Sequence, residues 1–171
     1  MRVLIVGAYG YFGQALMRRL LSLGHTVRAV GRAGVGAAWP PGVEASIREA
    51  SEIRVSEIAG VNAVVCLAGG GIRVGGEWDP IQAIRDNIVA PMRVGIAARA
   101  AGGPRMILAS SAYVYGLATT PHREGGSRRP DTLYGSLKVV AEAAWRASGG
   151  MAIRFANLYG LSVSDVGRDG V

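Results

Sequence analysis

The sequence predicts a doubly wound α/β fold: one parallel sheet in a three-layer α/β/α arrangement, with strand order 3-2-1-4-5-6. Three observations carry that expectation. Short apolar runs alternate with stretches of helical periodicity along nearly the whole chain. A glycine-rich turn, Gly7-Ala8-Tyr9-Gly10-Tyr11-Phe12-Gly13, joins the first strand to the first helix. The apolar half of the composition is mostly Ala, Val, Leu and Ile, with 26 glycines and few aromatic residues, which suits tight layers joined by tight turns. At 171 residues the chain is expected to form a single domain over 1–171, with no second domain. A chain of this size buries about 70% of its unfolded surface, so a real core is available.

The elements follow in order. Arg2–Val6 is a short apolar strand. Phe12–Leu23 has helical spacing in Phe12, Leu16, Leu20 and Leu23, and Gly24 supplies the stop. Thr26–Val30 is a second strand, Gly34–Gly42 a Gly- and Pro-rich loop, and Val43–Ile47 a short third strand. Ser51 is placed to cap a helix running to about Ala59. Ala63–Ala68 is a strongly apolar strand, followed by a flexible loop through Gly69-Gly70-Gly71 and Gly75-Gly76. Pro80–Ala101 reads as one long helix that Pro91 can kink. Arg105–Ser110 is the fifth strand, Asp131 is placed to cap a helix through Ala147, and Met151–Phe155 is the last strand.

Composition excludes several classes of function. The net charge is +7, but the arginines are scattered and only Arg18-Arg19 and Arg128-Arg129 are paired. Nucleic-acid binders concentrate their charge, so no nucleic-acid partner is expected. A basic chain suits an anionic small molecule instead. No apolar run reaches membrane-spanning length, and Arg2 leads straight into a strand, so neither a membrane partner nor a signal peptide is expected. Cys66 is the only cysteine and lies among Val64, Val65 and Leu67, which reads as a buried structural thiol in a reducing cytoplasm. His25 belongs to a turn, and His122 has no partner at metal-ligand spacing, so no metal is expected.

Chemistry concentrates in two places. The first is the glycine turn. A chain that must turn sharply and approach a pyrophosphate closely cannot carry Cβ atoms there, and the following helix offers free amides to the anion. Gly7, Gly10, Tyr11, Phe12 and Gly13 are therefore candidate dinucleotide-binding residues. A carboxylate at the end of the second strand would hold the ribose hydroxyls of NAD. Gly31 and Arg32 stand there, and a guanidinium binds a 2′-phosphate well, so NADP(H) is favoured over NAD. The second place is Tyr134-Gly-Ser-Leu-Lys138. Lys138 is the only lysine among 19 basic residues; everywhere else positive charge is supplied by arginine. A spacing of four puts Tyr134 and Lys138 on one helix face. A nearby ammonium is expected to lower the tyrosine pKa from about 10 and so make an acid/base near neutral pH.

Together these segments resemble the extended short-chain dehydrogenase/reductases, the NAD-dependent epimerase/dehydratase-like family, particularly its nucleotide-sugar branch. The matching stretches are Gly7–Gly13, Val64-Val65-Cys66-Leu67-Ala68-Gly69, Asn87 in Asp86-Asn87-Ile88-Val89, Ser110-Ser111-Ala112-Tyr113-Val114-Tyr115-Gly116, Tyr134–Lys138 and Arg154-Phe155-Ala156-Asn157-Leu158-Tyr159-Gly160, in the family's order. The resemblance implies a Rossmann-type fold. It implies Tyr134 as the acid/base on a hydroxyl or carbonyl, Ser111 as hydrogen-bond donor to the reacting oxygen, and Lys138 on the nicotinamide ribose. Leu67, Ala68 and Gly69 would pass under the cofactor, Asn87 would order the site, and Phe155 would lie near the nicotinamide. Ser46 and Ile47 would lie near the adenine, with Ser46 where the family often has Asp. Ala112, Tyr113 and Asn157 would line the substrate side, although Tyr113 and Tyr115 also read as packing residues.

The implied activity is NADP(H)-dependent reduction of a keto-sugar nucleotide. The alternatives are an epimerase retaining NAD(P) and a non-catalytic NADP-binding sensor or scaffold. Because Ala112 and Tyr113, rather than acidic residues, follow Ser111, a carboxylate-assisted dehydration is not expected. Members of the family continue well beyond this length, so the C-terminal substrate lobe is expected to be largely absent and the chain to be a fragment. Its uncovered sheet edge would then favour self-association, as in a homodimer.

Overall fold

The computed structural model describes residues 1–32, 39–70 and 79–160. Most of the loop expected at 34–42, much of the glycine loop at 69–76 and the tail at 161–171 fall outside the described residues. The described elements form a six-stranded parallel sheet in the order β3-β2-β1-β4-β5-β6, as the alternation predicts. The strands are β1 (Arg2–Val6), β2 (Thr26–Gly31), β3 (Glu44–Ile47), β4 (Ala63–Cys66), β5 (Arg105–Ser111) and β6 (Met151–Phe155). The helices are α1 (Tyr11–Ser22), α2 (Val55–Ile58), α3 (Pro80–Ile84), α4 (Ala90–Ala100) and α5 (Leu133–Ala147).

Strand periodicity divides the core. Leu4 and Val6 of β1, with Val64, Cys66 and Leu108, face Val94, Ala98, Ala141 and Trp145 of α4 and α5. Val3 and Ile5, with Val27 and Ala29, face Met17 of α1. Successive side chains on a strand point to opposite faces, so a strand apolar at both parities must be covered on both sides. The order in which the chain adds strands reverses between β1 and β4. The turns after β1, β2, β4 and β5 therefore open at one edge, where a crevice forms.

Three elements differ from the sequence expectation. Ser51 caps nothing: residues 50–52 form a single 3₁₀ turn, and α2 starts only at Val55, where the Glu57 carboxylate accepts from the Arg54 amide at 2.8 Å. Asp131 does not cap α5. Its carboxylate accepts from the Leu117 amide, and Thr132 caps instead by accepting from Gly135 at 3.1 Å. The long helix is present, but it widens into a π segment at Arg85–Val89 between α3 and α4. Pro91 has no N–H to donate, and its ring crowds the carbonyl four residues earlier, so regular α turns cannot run through this point. The widening falls on Asp86 and Asn87, both buried.

The β1–α1 junction depends on the absence of one methyl group. A Cβ on Gly13 would lie 2.5 Å from the Gly7 carbonyl oxygen and 2.7 Å from the Ala8 Cα. Both are backbone atoms and cannot rotate away. Gly13→Ala is expected to lower stability by about 1–3 kcal/mol, the usual range for overpacking. Urea denaturation followed by circular dichroism tests this; an unchanged midpoint would mean that α1 can move off the strand at no cost.

Candidate active site

Two adjoining clefts open along the C-terminal ends of the strands. The first, about 290 Å³, lies over the glycine turn and is lined by Gly7, Tyr9, Gly10, Gly31, Arg32, Glu49, Ala50, Leu67, Ala68, Gly69, Asp86 and Ala90. The second, about 310 Å³, lies between α1, β5, α5 and β6 and includes Phe12, Leu67, Gly69, Gly70, Ser111, Tyr134, Lys138 and Phe155. Leu67 and Gly69 line both, so the two are halves of one trough.

The glycine turn forms the floor of the first half. Gly7 has φ +86°, and a Cβ there would lie 2.9 Å from the Ala68 amide nitrogen. The backbones of β1 and β4 thus approach closely under the trough. The free amides at the start of α1 are of the kind that can receive an anion. Gly69 is the cradle of the second half: a Cβ on it would lie 2.9 Å from Lys138 Nζ and 3.1 Å from Asn87 Oδ1. Asn87 is anchored by donating from Nδ2 to Gly70 O at 2.7 Å and Ala83 O at 2.9 Å. Its Oδ1 is buried and has no hydrogen-bond partner among the described residues.

Tyr134 and Lys138 project from one face of α5, with Lys138 Nζ 5.5 Å from the Tyr134 ring centroid. Lys138 is only 3% exposed and donates to Ala109 O at 3.4 Å. Ser111 ends β5 opposite them, its hydroxyl accepting from the Tyr113 amide at 3.3 Å. Gly135 lies against the Tyr113 carbonyl with no room for a Cβ, which brings the turn after Ser111 onto the start of α5. Phe155 packs edge-on to Phe12 at 5.1 Å and closes the trough from β6.

The electrostatics correct the sequence argument about tyrosine. Burial pushes the Tyr134 hydroxyl above its ordinary value, a hydrogen bond with Ser111 pulls the other way, and Tyr113 adds to the rise. Burial also pushes the Lys138 ammonium down, with Cys66 opposing. Desolvation of both groups outweighs the attraction expected from their spacing. The Tyr134 hydroxyl is therefore held in its protonated form. Cys66 is fully buried and its thiol is pushed up to about 11, as an inert structural cysteine requires.

Of the residues expected from sequence, Gly7, Gly10, Phe12, Arg32, Leu67, Ala68, Gly69, Ser111, Tyr134, Lys138 and Phe155 converge on the trough. Gly13 acts beneath it, through packing. Tyr11 is directed toward Gly160 rather than into either cleft. Ser46 and Ile47 are not among the residues lining the first cleft: the Ser46 hydroxyl is bonded to Glu57 and Arg48, Ile47 is exposed, and Glu49 and Ala50 line the cleft nearby. Ala112 and Tyr113 line a separate apolar groove with Leu117 and Thr132. Asn157 is exposed, while its neighbours Ala156 and Leu158 line the second cleft. Sequence reasoning missed Tyr9, Glu49 and Asp86. Only Asp86 left a signal, as the carboxylate preceding Asn87.

The profile of the NAD dependent epimerase/dehydratase family matches residues 3–168. The chain belongs to this family. It is 31% identical over 145 residues to the uronate dehydrogenase of Agrobacterium fabrum (strain C58 / ATCC 33970), a match covering 82% of this chain and 53% of that one. Among solved structures it is similar to MoeE5 in complex with UDP-glucose and NAD, with 29% identity, a TM-score of 0.83, and 94% of this chain and 56% of the other covered. It is also similar to a UDP-galactose 4-epimerase, at 28% identity, TM-score 0.80, and 95% and 58% coverage. The chain thus spans about half the length of the relatives it matches. Among the described residues no helix is long and apolar enough to cross a membrane.

The family segments are tied together by one buried carboxylate. Glu142, 0% exposed, accepts from Ser110 Oγ at 2.7 Å, from Arg154 Nε and Nη2 at 2.8 Å each, and from Arg146 and Arg128. Hydrogen bonds and charge from these donors outweigh its desolvation and hold it down at about 2, from an ordinary value of 4.5. Because the folded value is depressed, its stabilisation is fully present above pH 4.5 and is lost as pH falls toward 2. That component is about 3 kcal/mol. Glu142→Gln should remove it and destabilise the neutral protein by about 3 kcal/mol, since the half-buried Arg154 guanidinium loses its charged partner. Denaturant titrations at several pH values test this; equal acid sensitivity in the variant would exclude Glu142 as the source.

Proposed function

We propose that this chain forms the cofactor-binding and catalytic half of an NADP(H)-dependent oxidoreductase that reduces a keto-sugar nucleotide. The observation that carries this reading is the convergence of Ser111, Tyr134 and Lys138 on one trough whose floor is a glycine turn with no room for Cβ atoms. A bound nicotinamide would supply the hydride. Tyr134, kept protonated by burial, gives its proton to the carbonyl oxygen as negative charge develops there. The Ser111 hydroxyl donates a hydrogen bond to the same oxygen. Lys138 and Asn87, side by side at Gly69, present a cation and a free acceptor to the ribose next to the reacting ring. We take residues 1–171 as one domain.

Support for a sugar-nucleotide substrate comes from the relatives: one is a uronate dehydrogenase, one holds UDP-glucose and NAD, and one is a UDP-galactose 4-epimerase. That last resemblance also favours a second reading, an epimerase that oxidises and re-reduces one carbon on a retained cofactor. Arg32 supports NADP(H), because its exposed guanidinium lines the first cleft at the end of β2. The single buried thiol suits a reducing cytoplasm. The β6 edge, unpaired among the described residues, supports self-association.

In a protein of the relatives' length carrying these residues, Tyr134→Phe is expected to lower turnover by about 10²–10⁴-fold while leaving cofactor affinity within about twofold. Lys138→Met is expected to weaken both. Stopped-flow NADPH oxidation with UDP-4-keto-sugars, alongside NADPH fluorescence titration, separates the two effects. Normal rates in Tyr134→Phe would remove Tyr134 from the role. Turnover of a UDP-sugar to its epimer without net NADPH consumption would select the second reading. The 171-residue chain itself is expected to retain cofactor binding better than catalysis, since substrate positioning contributes several kcal/mol to the rate.

A further inference from the structure

The end of β2 carries no carboxylate, yet the first cleft contains two, from elements further along the chain. Glu49 follows β3, and its Oε1 is 4.0 Å from Arg32 Nε. Asp86 lies in the π segment and is the more constrained of the two. Its side chain is 8% exposed, Oδ1 accepts from Gln82 Nε2 at 2.7 Å, and Oδ2 lies 3.5 Å from Arg32 Nη2. Oδ2 is buried and has no hydrogen-bond partner among the described residues. Gly70 lies beneath the pair: a Cβ there would be 3.4 Å from Asp86 Oδ2 and 3.8 Å from Arg32 Nη2. Arg32 and Asp86 thus reach toward each other across the mouth of the cleft, from β2 on one side and the π segment on the other.

A buried carboxylate oxygen without a donor is costly, and the cleft is where a donor can reach it. The two forms of the cofactor differ at one point. A ribose diol offers hydroxyl donors; a 2′-phosphate offers only negative charge. We propose that Asp86 is a specificity-determining residue for the cofactor: its free oxygen accepts a hydrogen bond from a hydroxyl of the adenosine ribose, and its hold on Arg32 opposes capture of a 2′-phosphate. The inference rests on the dinucleotide reading above. Arg32 attracts the phosphate and Asp86 opposes it, so Asp86 narrows the preference for NADP(H) that Arg32 alone would give. The carboxylate that favours the diol has moved from the end of β2 to the helix after β4.

Asp86→Asn keeps the shape and tests the charge. Gln82 continues to donate to the Asn carbonyl, which turns the amide NH₂ toward Arg32 and the cleft. NADH and NADPH fluorescence titrations on the 171-residue chain are expected to show the NADPH-to-NADH affinity ratio rising at least tenfold in Asp86→Asn. In Arg32→Ala/Asp86→Asn the gain for NADPH should disappear, because it acts through Arg32. On the unaltered chain, 2′-deoxy-NAD or 3′-deoxy-NAD should bind at least tenfold more weakly than NAD, a comparison that requires no variant to fold. An unchanged ratio in folded Asp86→Asn would overturn the proposal, as would equal binding of NAD and both deoxy forms. Binding of neither NADH nor NADPH by the unaltered chain would overturn the dinucleotide reading, and this inference with it.

Discussion

The hydrogen-bonded cluster around Glu142 is the interaction on which the geometry of the trough depends. A carboxylate with no exposure to water survives only when its oxygens are filled with donors, and this one draws them from β5, α5, β6 and the loop carrying Arg128. Three members of the cluster stand beside residues that line the second cleft. Ser110 precedes Ser111, Glu142 follows Lys138 by one helical turn, and Arg154 precedes Phe155. Arg154 continues outward to the Tyr115 hydroxyl and the Glu124 carbonyl, which extends the same cluster to the turn beyond β5. Breaking the centre would loosen three walls of the second cleft together.

Close backbone approach does for the first cleft what this charge cluster does for the second. At Gly7, Gly13 and Gly69 the space a Cβ would need is taken by backbone atoms or by the Lys138 and Asn87 side chains. The result is a floor on which backbones approach closely. Water is excluded most from Lys138 and partly from Tyr134, and desolvation consequently dominates both of their proton affinities. Such an environment keeps the Tyr134 hydroxyl protonated.

Much of the fold was legible before the structure because its rules are local or periodic. Alternation of apolar runs gave six strands, the glycine turn located the first crossover, and strand order followed from right-handed connections around it. Tyr134 and Lys138 were legible as a pair because a spacing of four has one meaning on a helix. Capping was less legible. Ser51 and Asp131 are good cap types, but Thr132 held the geometry at α5, and the stretch at 50–52 was too short for a helix. The bonds of the Ser46 hydroxyl to Glu57 and Arg48 were likewise not legible in the sequence.

The sequence by itself determined the layer architecture, the strand order and the glycine floor, since each is encoded in spacing along one segment. Tertiary structure decided what those side chains experience. The rise in the Tyr134 pKa, the filling of Glu142 by residues from four segments, and the meeting of Arg32 with Asp86 across the cleft all depend on distances between residues remote in the chain. Burial and charge are properties of the assembled neighbourhood, and no local pattern of residues carries them.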